Sequence, residues 1–170
     1  MKRLFGVVLI LLVIALSAST YSLHQYRKER EKILNRIYTD FEVNRWELEG
    51  VGGTLEYLLN QNASDEVISL YLIKYRDNAM VTGKVFSILY FQTDEDKFIE
   101  ISTAIDNLAR FLNTLANRPP KDRRTLLMEN IQTLKEFDRL FKKLTKYQNF
   151  EDIPGELAKE LLNASEKLKY

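Results

Sequence analysis

The chain has 170 residues, 45% of them apolar, which is enough for one domain with a substantial core. Its 25 basic and 24 acidic residues nearly cancel, which argues against a nucleic-acid-binding protein, because such proteins carry a basic excess on one face. Without cysteine, the chain has no disulfide, thiolate zinc site or cysteine nucleophile, and six glycines and three prolines favour an all-α fold of long helices.

Residues 1–23 are predicted to be a membrane anchor or uncleaved signal sequence. No residue from Leu4 to Leu23 is charged, and Lys2 and Arg3 precede them. A helix of this length measures about 30 Å, which matches the hydrocarbon core of a bilayer. A lipid bilayer is therefore the expected partner of residues 4–23. The basic start, short apolar core and small residues at 17–20 also fit a cleavable signal peptide, which remains the alternative.

The side of the membrane on which the C-terminal domain lies is indicated by two opposing signals. Two N-glycosylation sequons, which begin at Asn62 and Asn163, favour an extracytoplasmic domain. Basic residues that follow the apolar segment favour a cytoplasmic domain under the positive-inside rule. They are Arg27, Lys28, Arg30, Lys32 and Arg36. We expect a single-pass protein with an extracytoplasmic domain, and the cytoplasmic orientation stays open.

The next segment, residues 24–33, is polar around the whole circumference of a helix and is predicted to be a solvated stalk. Residues 34–148 are predicted to form a four-helix bundle. In its first helix, apolar residues recur at alternating spacings of three and four, as in a coiled coil. These positions are Leu34, Ile37, Phe41, Asn44, Leu48, Val51, Leu55 and Leu58. Asn44 is the one polar member, and we expect it to set the helix register.

Three glycines, Gly50, Gly52 and Gly53, lie inside this first pattern. The periodicity continues through them and predicts one continuous helix, in which the glycines permit close helix packing or a bend. The alternative is a loop, with a new short helix starting at Thr54.

The remaining helices are marked by capping signals. Ser64 is predicted to cap the second helix, and Thr93 with Asp96 is predicted to form a capping box for the third. The fourth follows Pro119 and Pro120. In the second helix, five residues widen the apolar arc, so this helix is predicted to be the most buried. They are Leu70, Ile73, Val81, Val85 and Ile88.

Short connections force neighbouring helices to run antiparallel, so the predicted architecture is an up-down four-helix bundle. Residues 149–170 are predicted to contain a short fifth helix on the outside of the bundle. In this topology Asn62 and the turn at residues 118–120 lie together at the membrane-distal end.

No residues combine into a catalytic, cofactor-binding or metal-binding motif. The glycine cluster lacks the Lys-Ser/Thr of a phosphate loop, and His24 is the single histidine, which excludes a multi-histidine metal site within one chain. Residues 94–96 are acidic, but they lack the spacing of a calcium loop and are expected to cap a helix. We therefore expect no enzyme and no cofactor.

The expected function is that of a membrane-anchored extracytoplasmic interaction or scaffolding module of the cell envelope, with an unknown protein partner. Tyr57, Tyr71 and Tyr90 fall off the predicted seams and are candidates for a binding face. One alternative is a small-ligand-binding or sensor-like bundle, with a cavity lined by Phe and Tyr beside the glycines. A cytoplasm-facing membrane adaptor is another. Homo-oligomers are an open possibility, and since the anchor has no GxxxG pattern, the bundle or stalk would have to drive them.

Overall fold

The computed structural model describes residues 2–170, and the side chains of all of these except residues 2–5 and 7–9. Every regular element in this part of the chain is helical, which confirms the predicted all-α class. The α-helices are α1 (Lys2–Asp40), α2 (Glu42–Glu47), α3 (Val51–Asn60), α4 (Asp65–Thr93), α5 (Asp96–Ala116), α6 (Pro120–Leu144) and α7 (Gly155–Glu166). Two short 3₁₀ segments, Leu48–Gly50 and Phe150–Asp152, complete the chain. The chain divides into two compact units, Met1–Arg36 and Ile37–Tyr170.

Among the described residues, no helix combines the length and the apolarity that crossing a membrane requires. The predicted anchor at residues 4–23 lies partly outside this description, because it includes side chains at positions 4, 5 and 7–9.

The second unit is a ring of helices around one apolar core. α4 packs along α5, α3 packs on α6, and α2 packs on α4. α7 closes the ring by contacting both α5 and α6, which touch each other only slightly. The predicted seam of α5 is confirmed, since all six of its residues are fully buried. They are Phe98, Ile101, Ile105, Leu108, Leu112 and Leu115.

The expectation that the C-terminal helix packs outside the bundle is wrong. α7 runs antiparallel to α6, with Lys143 paired to Glu160 at one end and Lys167 paired to Glu136 at the other. Ser165 accepts a hydrogen bond from Asn107 of α5. Its leucines and alanines fill the gap that separates α5 from α6 and belong to the central core. They are Leu157, Ala158, Leu161 and Ala164.

The prediction of one continuous first bundle helix is also wrong, because the helix breaks at Phe41 and again at Leu48–Gly50. The new N-terminus at Val51 is close to the alternative start at Thr54. At the first break Arg45 is only 2% exposed, and its guanidinium carbon lies 3.7 Å from the centre of the Tyr38 ring. It also donates to the Tyr38 carbonyl in the last turn of α1, where a cation favours the negative end of the helix dipole.

Asn44, on α2, donates a 2.8 Å hydrogen bond to the Asn78 side chain of α4. This pair, together with the ion pair between Glu47 and Lys74, aligns α2 antiparallel to α4. The expected register role of Asn44 agrees with this contact.

Of the two predicted N-terminal caps, one is confirmed. The Ser64 hydroxyl accepts from the Val67 amide at the start of α4. Thr93, in contrast, is the last residue of α4, and its hydroxyl donates to the Leu89 carbonyl. Asp94, the residue after α4, adopts the left-handed conformation at φ 59°, and α5 begins two residues after the position that the capping box predicts.

One end of the second unit is held together by Arg123, which is buried at the start of α6. Its guanidinium donates to carbonyls at the C-terminal end of α5 and to the Asp65 carbonyl of α4. Its neighbour Arg124 pairs with the Asp65 carboxylate and donates to the Ala63 carbonyl. The turn that contains Asn62 and the turn at residues 118–120 therefore lie at the same end, as the topology predicts.

Helix α4, which corresponds to the predicted second bundle helix, is not the most buried helix, contrary to the expectation from its wide apolar arc. Leu70, Ile73 and Ile88, three of the residues that widen the arc, are exposed. Helix α4 has a buried face on α5 and α2, and a second apolar face that the second unit does not cover.

Candidate functional site

The glycine cluster is a point of close contact between two helices. Gly52 is buried against α6, and a Cβ at this position would lie 2.5 Å from the Leu134 carbonyl carbon and closer still to the Lys135 amide nitrogen. Backbone therefore packs directly on backbone, and only glycine fits. A Cβ at Gly53 would lie 3.5 Å from the Asp138 carboxylate, which is an ordinary contact. The predicted packing role thus falls to Gly52.

The carboxylate of Asp138, on α6, receives the free amides at the start of α3. Gly52 donates to Oδ1 and Gly53 donates to Oδ2, each at 2.8 Å. These amides belong to the first turn of a helix, where no intrahelical partner exists and a negative charge is favoured by the dipole. Asp138 is therefore an N-terminal cap supplied by a different helix.

Asp138 is buried, and its environment acts on its ionisation in two directions. Desolvation raises the pKa of the carboxyl above its ordinary value, and the hydrogen bonds from Gly52 and Gly53 oppose this shift without cancelling it. The 3₁₀ segment and the start of α3, which we call the junction, also contact other helices, and the Tyr75 hydroxyl of α4 donates to the Gly50 carbonyl at 3.3 Å. Thr145, the residue after α6, also donates to the Glu49 carboxylate. The junction therefore joins α3, α4 and α6.

The ligand-binding alternative requires a cavity lined by Phe and Tyr beside the glycines, and the surroundings of the junction do not provide one. Backbone of α6 fills the space next to Gly52. A groove of about 430 Å³ beside Asp138 is lined by charged side chains instead of by Phe and Tyr. These are Lys135, Asp138, Arg139, Lys142, Lys143 and Lys146. Several are paired with acids, as in the contact of Lys135 with Glu56.

The second notable surface is a line of exposed side chains along α4, which we call the α4 outer face. It consists of Leu70, Ile73, Asp77, Met80, Lys84, Ile88 and Phe91, all of them exposed. The apolar members are exposed by 64% (Leu70), 38% (Ile73), 50% (Met80), 41% (Ile88) and 79% (Phe91). Successive spacings of three or four residues place all seven on one narrow side of the helix. Five large apolar side chains in one line form a surface suited to another helix.

A groove of about 570 Å³ runs beside the α4 outer face, between α4 and α5. Arg76, Asp77 and Lys84 from α4 face Asp106 and Arg110 from α5 across it. Arg76 pairs with Asp77 and also donates to Asn113. The groove thus gives the apolar line a polar rim, which is the arrangement found at protein interfaces.

The two sequons differ in accessibility. Asn62 is exposed on the turn before α4, with φ 49°. Asn163 is exposed on α7, but its sequon serine, Ser165, is buried, whereas Ser64, the sequon serine of Asn62, is exposed. Asn62 is the better acceptor for a glycan in the folded protein.

The acidic residues at 94–96 do not converge on a common point. Asp94 follows α4, Glu95 pairs with Lys97, and Asp96 begins α5. Within the described part of the chain, no group of three His, Cys, Asp or Glu side chains is placed to hold a metal ion. Of the three tyrosines named as candidates, Tyr57 is exposed, and Tyr71 and Tyr90 are half-buried.

Sequence reasoning missed Asp138 as the partner of the glycines. A usable signal was present, since Asp138 lies four residues after Leu134 and next to Phe137, within the apolar side of α6. A carboxylate on an apolar helix face needs hydrogen-bond donors, and the amides of a glycine-rich helix start can supply them.

No protein-family model, no curated protein and no solved structure matches this chain.

Gly52→Ala is expected to destabilise the second unit by about 1–3 kcal/mol or more, because the new methyl group forces α3 and α6 apart. Gly53→Ala, the matched control, is expected to leave stability unchanged or to raise it by up to about 1 kcal/mol, since alanine favours the helix. Urea unfolding followed by circular dichroism measures both variants. Equal stability of the two would contradict the close contact assigned to Gly52.

Asp138→Asn is expected to destabilise the protein by about 1–3 kcal/mol, because one amide loses its acceptor. The pH dependence is the sharper measurement. A pKa raised by folding means that the folded state holds this proton more tightly than the unfolded state. The stabilisation linked to that proton is fully present below the unfolded pKa and is lost as pH rises through the folded pKa.

We therefore expect the difference in unfolding free energy, native minus Asp138→Asn, to fall as pH rises from about 4 and then to level off. Taking the difference removes the contributions of the other carboxylates. A difference that instead grows with pH would show that the amides and the helix dipole outweigh desolvation at this site.

Proposed function

We propose that this chain is a non-enzymatic interaction module that is held at a membrane and binds another protein helix through the α4 outer face. The single observation that carries the proposal is the exposure of five large apolar side chains in one line on an otherwise well-packed helix. Isolated exposed apolar residues are ordinary, but five of them on one side of a helix, with a polar rim, are typical of an interface.

The chemistry of this face fits a helical partner. Spacings of three and four along the helix, with apolar residues at most positions, are those of a coiled-coil seam. Asp77 and Lys84 interrupt the apolar line with opposite charges, which would restrict the partner and its direction. A partner helix that carries the complementary pattern could cover the line and leave the charged groove at its edge.

Attachment to a membrane is supported by the first unit. Six large apolar side chains between positions 10 and 16 are each exposed by 56–66%. They are Ile10, Leu11, Leu12, Val13, Ile14 and Leu16. A helix that is apolar all round requires burial in protein or lipid. Together with residues 4–9, this segment would form the single-pass anchor of a cell-envelope protein.

We place the second unit on the extracytoplasmic side of that membrane. Exposure of Asn62 within its sequon supports this orientation. The basic residues at 27–36 favour the opposite orientation, that of a cytoplasm-facing adaptor. In either orientation the α4 outer face has the same role.

Site-specific photocrosslinking in native membranes tests the proposal. A photoreactive residue at Ile73 or Ile88 is expected to form adducts with protein, and one at Met128, exposed on α6, is expected to form far fewer. The chain is expected to remain with the membrane fraction after alkaline washing. Crosslinking that is absent at both α4 positions, or equal at all three, would overturn the interaction role. Recovery of the full chain in the soluble fraction would overturn the anchor.

A further inference from the structure

Six of the seven residues of the α4 outer face form three pairs that are symmetric about its midpoint. Reflection about the point between residues 80 and 81 exchanges Leu70 with Phe91, Ile73 with Ile88, and Asp77 with Lys84. Apolar positions thus map onto apolar positions, and the acid maps onto the base. Met80 maps onto Val81, a half-buried apolar neighbour.

This symmetry determines which partner the face fits. Two copies of α4 that cross in antiparallel orientation, with a twofold axis beside Met80, bring each of these pairs into contact. Leu70 then meets the partner subunit's Phe91, and Asp77 meets the partner subunit's Lys84. Because the interface is isologous, each contact occurs twice.

We infer that the α4 outer face binds a second copy of this chain as an antiparallel helix pair. The inference rests on the proposed interaction role and supplies its partner. An unrelated partner would impose no mirror symmetry on one helix. A parallel pair would set Asp77 against Asp77 and Lys84 against Lys84, and like charges would oppose it.

The dimensions suit such a pair. From Leu70 to Phe91 the helix rises by about 32 Å, or six turns. Antiparallel helices pack at about 8–10 Å, a distance at which the five apolar side chains interdigitate and the charged pairs meet. The α4–α5 groove lies along the edge of this contact, so Arg76 and Arg110 remain in the polar rim.

The twofold axis of this pair is perpendicular to α4. Two chains anchored in the same membrane are related by an axis along the membrane normal, so they can pair in this way only when α4 lies parallel to the membrane plane. Chains in which α4 is perpendicular to that plane would pair only between opposing membranes. Detergent-solubilised protein is free of this restriction and is the proper sample for a test of the pairing itself.

The absence of cysteine from the natural chain makes crosslinking a direct test. Full-length Leu70→Cys and Phe91→Cys chains, which carry tags of different size, are treated with a short bismaleimide in detergent, separately and mixed. Both positions are exposed, so folding is unaffected and is checked by circular dichroism. An antiparallel pair gives a covalent dimer only in the mixture. Leu70→Cys mixed with Met128→Cys is the control, and it is expected to give none.

Charge exchange between positions 77 and 84 is the second test of the antiparallel pair. Asp77→Lys is expected to weaken dimerisation about tenfold, since two exposed ion pairs become two like-charge contacts. The double variant Asp77→Lys with Lys84→Asp restores both pairs and is expected to recover the dimer. Sedimentation measures both variants beside the native chain. No merely structural role of Asp77 would give this recovery.

Covalent dimers from each single-cysteine variant alone would show a parallel pair and overturn the inference. The absence of any dimer in the mixture would overturn it as well. If photocrosslinking at Ile73 and Ile88 then gives adducts only with a different protein, the proposed interaction role is retained and self-association is contradicted. Loss of photocrosslinks at both positions would remove the proposed function itself.

Discussion

The second unit depends on the contact of two backbones at Gly52. Without a side chain at this position, α3 approaches α6 closely enough for the Asp138 carboxylate to reach the first amides of α3. The same contact explains why α3 is a separate helix. An N-terminus that is capped by Asp138 no longer needs carbonyls from a preceding turn, so the chain can leave the helix at Leu48–Gly50 and change direction. Arg45 has the equivalent role at the C-terminal end of α1.

Once α3 is fixed on α6, the positions of the other helices follow. Tyr75 binds the Gly50 carbonyl, and Lys74 pairs with Glu47, so α4 is aligned along α2 and the junction. Helix α4 then turns one apolar face to α5 and the core, and it leaves the α4 outer face uncovered within this unit. The candidate interface is thus a consequence of the packing. Apolar residues occupy a wide part of the circumference of α4, and the neighbouring helices of the second unit cover only a portion of it.

Composition and periodicity were sufficient for the helical class and the seam of α5, and residue type was sufficient for the cap at Ser64. They failed where contacts between distant residues decide the structure. The breaks at Phe41 and Gly50 depend on Arg45 and Asp138. The position of Asp138 on an apolar helix face signals a need for hydrogen-bond donors, but the local pattern does not identify those donors. Thr93 was misassigned because it is the last residue of α4, where its hydroxyl donates to the Leu89 carbonyl and accepts from the amide of Glu95, the residue before α5. The wide apolar arc of α4 was recognised correctly, but the burial inferred from it was wrong. A sequence does not say how many neighbours are present to cover such an arc. α7 was expected on the outside of the bundle, although α5 and α6 leave a gap that it fills.

The most direct measurement of the α4 outer face uses its methionine. The chain has three methionines, of which Met80 lies on this face and Met128 lies exposed on α6. In methyl-labelled full-length protein in detergent, the NMR signal of Met80 is expected to shift as the concentration of the chain rises, because the interface closes around it. The Met128 signal is expected to stay in place as an internal control. A Met80 signal that does not change over a range reaching millimolar concentration, or that shifts only together with Met128, would contradict the assignment of this face as the surface where two chains meet.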